Sequence, residues 1–214
     1  MTIESGDLFS SSSAFDGPKV ERIELPDADI EYLPEFIPGE VRRQIFELLI
    51  SKVEWRQEKI KYFGKFIDIP RLTAWYGDSG IRYSYSGIEV HALPWLQILK
   101  RIKDRIEQIH HDELNCVLLN LYRDQRDGVA WHSDDEKELG SDPVIASVSL
   151  GESRPFQFRH KFDKTKTYKI ELEPGSLLIM RGPTQRFWQH QIPKASRALK
   201  PRINLTYRYI AEGA

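Results

Sequence analysis

Near its end the chain alternates with a period of two: in Arg202-Ile203-Asn204-Leu205-Thr206-Tyr207-Arg208-Tyr209 polar and apolar residues take turns. That period predicts a β-strand with Ile203, Leu205, Tyr207 and Tyr209 on one face, against a core, and Arg202, Asn204, Thr206 and Arg208 on the other, which in the plainest reading is wet. Upstream the period changes. After Pro38, the residues Val41, Ile45, Leu48 and Leu49 recur at helical spacing, and from near Pro94 a stripe of Trp95, Leu99, Ile102, Ile106 and Ile109 does the same. Both segments predict core-facing helices, with Lys100, Arg101, Lys103 and Arg105 on an exposed side of the second. Between them, Trp55 to Tyr85 is cut into short strands by Gly64, Pro70, Gly77 and Gly80. After Asp112 the pattern is all β: Cys116 to Arg123, Val144 to Leu150, Phe156 to His160, Lys166 to Leu172, Ser176 to Arg181 and the last strand. The order predicts a mainly β fold with flanking helices (α+β), a sandwich or jelly roll whose mouth can take a ligand.

Composition narrows the class. At 214 residues, 40% apolar and 29% charged, the chain reads as soluble and globular, with one core. Residues 1–20, with Ser10 to Ser13 in a row, are expected to be a mobile tail, and 21–214 one domain. The single Cys116 excludes an internal disulfide and fits a reducing compartment, the cytoplasm, or the nucleus if the cell has one. No apolar run suits a leader or a membrane span, so no membrane is expected.

The net charge of −1 conceals an asymmetry. Residues 1–36 carry nine acids against Lys19 and Arg22, a net of −7, whereas residues 154–208 carry thirteen Lys and Arg against three acids, a net of +10. The basic half permits a nucleic-acid face, and a solvated surface is the competing reading.

Chemistry concentrates in few places. His132 and Asp134 are two apart in an extended segment and share a face, and a lone His190 precedes the last strand by twelve residues. Singly, each reads as a hydrogen-bonded residue. Together, two His and a carboxylate form the facial triad that leaves open positions on a non-haem Fe(II), though Mn, Co, Ni or Zn suit the same donors. Such a site takes a chelating anion, and a rigid Arg fork suits the far carboxylate of a dicarboxylate. Asn120 and Tyr122, again two apart, share one side of their strand.

The order Asn120-x-Tyr122, His132-x-Asp134, His190, Arg202-x-Asn204-x-Thr206-x-Arg208 resembles the AlkB family of Fe(II)/2-oxoglutarate dioxygenases. The likeness extends through Pro70-Arg71-Leu72-Thr73-Ala74-Trp75-Tyr76-Gly77-Asp78 and Tyr83-Ser84-Tyr85-Ser86-Gly87, from about Pro34 to Ile210, and is closest to the two human members that repair duplex and single-stranded nucleic acid. It implies a double-stranded β-helix core over about 112–210, with a nucleotide-recognition region over about 55–90. It implies Fe(II) on His132, Asp134 and His190, O2 as co-reactant, and a 2-oxoglutarate shell of Asn120, Tyr122, Arg202, Asn204, Thr206 and Arg208, with Arg202 on the distal carboxylate. The implied reaction is oxidative removal of alkyl groups from bases such as 1-methyladenine and 3-methylcytosine in DNA, by a monomer.

On the substrate side, the resemblance places Tyr83 and Tyr85 where the damaged base stacks and Phe63-Gly64-Lys65 at a hairpin tip that fills the gap left by a flipped base, while Asp135 follows Asp134 directly as a candidate carboxylate for the base. A cationic methylated base suits π-faces and carboxylates, and its ring nitrogen is hidden until the base leaves the duplex. Ordinary strand packing is the other reading of the tyrosines, and an interior hairpin that of the tip. Arg154, Arg159, His160, Lys161 and Lys164 are candidate phosphate contacts, with a solvated loop as the competing reading. Rival functions are the same chemistry on RNA, protein or a small molecule, a non-catalytic jelly-roll binding module, and zinc-dependent hydrolysis.

Overall fold

The computed structural model describes residues 19–62, 64–85 and 88–211, leaving aside the side chains of residues 61, 62, 82–85 and 88–91. The chain opens with strands β1 (Glu21–Arg22) and β2 (Asp29–Leu33), then helix α1 (Gly39–Lys52). A hairpin of β3 (Lys59–Tyr62) and β4 (Lys65–Asp68) follows, then β5 (Leu72–Gly77), a second hairpin of β6 (Arg82–Tyr85) and β7 (Ile88–His91), short β8 (Leu93–Pro94) and helix α2 (Gln97–His110). The remainder is β9 (Cys116–Tyr122), β10 (Val129–His132), β11 (Ile145–Gly151), β12 (Arg154–His160), β13 (Thr167–Leu172), β14 (Leu177–Arg181), a one-turn α3 (Thr184–Phe187), β15 (Trp188–Ile192) and β16 (Arg202–Arg208).

A larger sheet runs β1-β2-β14-β11-β16-β9-β5-β8 and a smaller one β10-β15-β12-β13. Two apolar clusters, where one core was expected, explain how they stack. Ile45 and Leu49 of α1 and Leu99, Ile102 and Ile106 of α2 pack on Val117, Leu119, Val148, Ile203, Leu205 and Tyr207, which cover one face of the larger sheet. The opposite face shares a second core with Phe156, Phe158, Leu172 and Ile192 of the smaller sheet. The helices therefore lie outside and the space between the sheets is the interior, as in a jelly roll.

This arrangement corrects one expectation. The polar side of β16 is not wet, because all seven of its residues are buried. Since the apolar side is taken by the helices, Arg202, Asn204, Thr206 and Arg208 must face the space between the sheets. Arg154 is corrected likewise: it is fully buried, and its Nη2 donates to the carbonyls of Asp127 (2.9 Å) and Pro193 (2.8 Å), which ties two loops and leaves no phosphate contact. His160 is buried as well, its Nδ1 accepting from the amides of Phe162 and Asp163.

The turn from β11 to β12 depends on Gly151, at φ +87°, where a Cβ would meet the Pro201 carbonyl and the Phe46 ring. Gly151→Ala is expected to lower the free energy of unfolding by roughly 1 to 3 kcal/mol from backbone strain alone, read by urea denaturation; an unchanged midpoint would contradict the account. Among the described residues no helix is long and apolar enough to cross a membrane.

Candidate metal and dicarboxylate site

The interior is polar where β16 meets its neighbours, and strand register explains why. Asn204 lies opposite Asn120 of β9 on one side and Ser149 of β11 on the other, while Arg202 lies opposite Tyr122 and Gly151. Antiparallel partners send side chains to the same face, so the polar residues of three strands converge. They line one cavity with the residues at the end of β10 and the middle of β15, about 520 Å³ counted to its open mouth.

At one end of that cavity, His132 and His190 are direct partners across β10 and β15, their rings 4.3 Å apart and edge-on. Asp134 follows two residues beyond the strand, its Oδ2 3.5 Å from His190 Nε2, and the ligating atoms of the three residues lie within 4.8 Å of one another. His132 Nδ1 is 2.8 Å from the Ala130 carbonyl, which favours the tautomer that leaves Nε2 free as a ligand. Burial, with His132 beside it, pushes the His190 imidazole down to about 3, so it stays neutral and able to ligate. Burial would raise the Asp134 carboxyl, but Arg208, His190 and His132 outweigh it and hold the group well below the usual carboxylate range. Arg208 Nη2 donates to Asp134 Oδ1, so the last strand also aims the carboxylate. Two imidazoles and an ionised carboxylate, with His190 and Asp134 buried and His132 half-buried, are a donor set for a divalent cation.

At the other end stands Arg202, 1% exposed. Its Nη2 donates to Ser149 Oγ at 2.8 Å and its guanidinium carbon lies 5.3 Å from the Tyr122 ring centroid. Its Nε and Nη1 are buried with no partner among the described residues. Burial, offset by Tyr122 and reinforced by Arg154, brings it down to about 10, which leaves it cationic at neutral pH. A buried cation with two unused donors is costly unless an anion completes it, so the cavity fits a carboxylate at this end and a metal at the other.

The residues between are held in place. Asn120 Oδ1 accepts from Arg71 Nε at 2.7 Å; Asn204 Nδ2 donates to Ser147 Oγ at 2.7 Å and the Val148 carbonyl at 3.2 Å; Thr206 Oγ1 donates to Asn204 Oδ1 at 3.0 Å. Arg71, Ser147 and Ser149 were not singled out from the sequence for any role. The serines carried a legible signal, since Ile145-Ala146-Ser147-Val148-Ser149-Leu150 puts hydroxyls at alternate positions of an apolar strand.

The substrate-side residues are more scattered. Asp135 is exposed, 2.8 Å from Lys161 Nζ. Gly64 turns the β3–β4 hairpin at φ +79° and Lys65 beside it is exposed. Phe63 lies outside the described residues, and so do the side chains of Tyr83 and Tyr85, whose backbone forms β6. Arg159 stacks over Trp131 at 4.3 Å, next to His132 in the chain.

Comparison with known proteins adds the family level. Residues 29–208 match the model of the 2OG-Fe(II) oxygenase superfamily. The chain is 37% identical over 204 residues to the human DNA oxidative demethylase ALKBH2, covering 91% of this chain and 78% of that protein. It is 39% identical over 177 residues to the bovine protein of the same name, covering 78% of this chain and 64% of that one. It is 42% identical over 191 residues to the mouse alpha-ketoglutarate-dependent dioxygenase alkB homolog 3, covering 83% of this chain and 64% of that one. The chain thus spans just under two thirds of the length of these last two relatives. The solved structure of OsALKBH1 superposes with a TM-score of 0.60 at 17% identity, over 89% of this chain and 99% of that one, which supports the fold.

Proposed function

Because the chain belongs to the 2OG-Fe(II) oxygenase superfamily, within its AlkB branch, we propose that it is an Fe(II)- and 2-oxoglutarate-dependent dioxygenase that removes alkyl groups from N-alkylated bases of DNA. One observation carries the chemistry: the two unused donors of buried Arg202 and the His132-Asp134-His190 cluster open onto the same cavity. A metal at one end and a carboxylate anchor at the other is what a chelating diacid requires.

In this reading His132, Asp134 and His190 hold Fe(II), and Arg202 takes the distal carboxylate of 2-oxoglutarate. Tyr122, Asn120, Asn204, Thr206 and Arg208 would complete the shell, Arg208 also pairing with Asp134. When bound, iron and 2-oxoglutarate let O2 hydroxylate the N-alkyl carbon, with succinate and CO2 as coproducts; the hydroxylated methyl group then leaves as formaldehyde. The protein's share is to hold these reactants together away from bulk water.

The names of the relatives support DNA as substrate. Asp135 sits beside the metal-side Asp134, where its carboxylate could exchange the Lys161 ammonium for a cationic base. Tyr83 and Tyr85 would stack that base, and Phe63, Gly64 and Lys65 would meet the duplex at the hairpin tip. The domain would act over residues 21–214 as a monomer, in the cytoplasm or nucleus. An oligodeoxynucleotide carrying a single 1-methyladenine, given Fe(II) and 2-oxoglutarate, is expected to release formaldehyde in air and none without O2. Release under strict anaerobiosis, or only from the matching RNA, would overturn the proposal.

A further inference from the structure

The strand pairing of β10 with β15 ends at His132, yet Asp134, two residues on, is buried and must find an acceptor for its own amide. It finds a side chain: the Asp134 N–H donates to Gln185 Oε1 at 2.9 Å. Gln185 is 1% exposed and sits on α3, and its Nε2 donates in turn to Met180 Sδ, 3.5 Å away, on β14. Both ends of the amide are therefore in use, which also fixes which end is oxygen. The preceding Thr184 pins the turn, its Oγ1 donating to the Arg181 carbonyl at 2.6 Å and accepting from the Asp29 amide at 2.9 Å. Met180 lies opposite Ile145 of β11 and lines the cavity, whereas Gln185 does not reach it.

From this we infer that Gln185 is a positioning residue for metal binding, acting through Asp134. Arg208 orients the carboxylate from the last strand, and Gln185, braced on Met180 of β14, orients from α3 the peptide that carries it, so two separate elements aim one ligand. The inference rests on the reading of His132, Asp134 and His190 as the metal site. Partners that orient ligands in this way change metal affinity by about 10- to 100-fold when removed.

The test is calorimetric titration of the metal-free full chain with Mn(II), comparing wild type with Gln185→Met and Gln185→Leu, which fill similar volume without the amide. Both variants are expected to fold, to bind Mn(II) about 10- to 100-fold more weakly, and to exchange the Asp134 amide hydrogen faster while that of Leu178 on β14 is unchanged. Affinity within about twofold of wild type would overturn the inference and leave the metal site standing; so would failure of both variants to fold, which would make Gln185 a core residue only. Failure of the wild type itself to bind Mn(II) would remove the metal-site reading, and this inference with it.

Discussion

Arg202→Ala is expected to raise the 2-oxoglutarate concentration needed for half-maximal turnover by roughly 30-fold to several thousand-fold, the equivalent of about 2 to 5 kcal/mol. The size follows from burial. Arg202 is shielded from water, one of its nitrogens is satisfied by Ser149, and two others have no acceptor among the described residues. A carboxylate docking there gains charge-assisted hydrogen bonds with little water to displace, and its loss is felt in full. Arg202→Lys should recover only part, because an ammonium cannot present the planar fork. The same change should abolish the rise in melting temperature that excess 2-oxoglutarate gives the metal-loaded wild type, a linkage effect independent of chemistry. A variant that turns over with ordinary 2-oxoglutarate dependence would place the diacid elsewhere.

The last strand shows how far the sequence could be read. Alternation declared a strand and sorted the side chains of Arg202 to Arg208 correctly, though Tyr209, expected in the core, lies past the strand end and is exposed; the polar side reads the same whether it faces water or a walled interior. The difference lies in α1 and α2, which cover Ile203, Leu205 and Tyr207, a long-range fact that no local period contains. The His-Asp-His cluster was legible because its chemistry is rare, and its convergence waited on the pairing of β10 with β15. Arg154 misled because charge suggested surface; yet β12 buries Arg154, Phe156, Phe158 and His160 at alternate positions, a pattern written in the sequence. Strand β2 was missed although Ile30 and Tyr32 alternate with Asp29 and Glu31, because the acids of the segment drew the eye to its charge and not to its period. Arg71 and Gln185 had no local signal, since each acts by meeting a residue 49 or 51 positions away.

His132→Ala and Asp134→Ala should both abolish 2-oxoglutarate turnover and formaldehyde release, since each removes one of three metal ligands, but the two variants should part company in stability. His132 is half-buried, and among the described residues its ring hydrogen-bonds the Ala130 carbonyl two residues away, so alanine there should cost the metal-free fold little. Asp134 is 3% exposed and is the carboxylate against which buried Arg208 rests. Its removal leaves a cation in the interior without that counter-charge, a situation that costs about 3 to 5 kcal/mol. Near-zero activity in both variants, with a large fall in the denaturation midpoint only for Asp134→Ala, is the expected pair of results. Formaldehyde release by His132→Ala would refute the metal assignment. An Asp134→Ala chain as stable as wild type would instead mean that Arg208 finds its counter-charge elsewhere, and that the last strand does not aim the ligand through this pair.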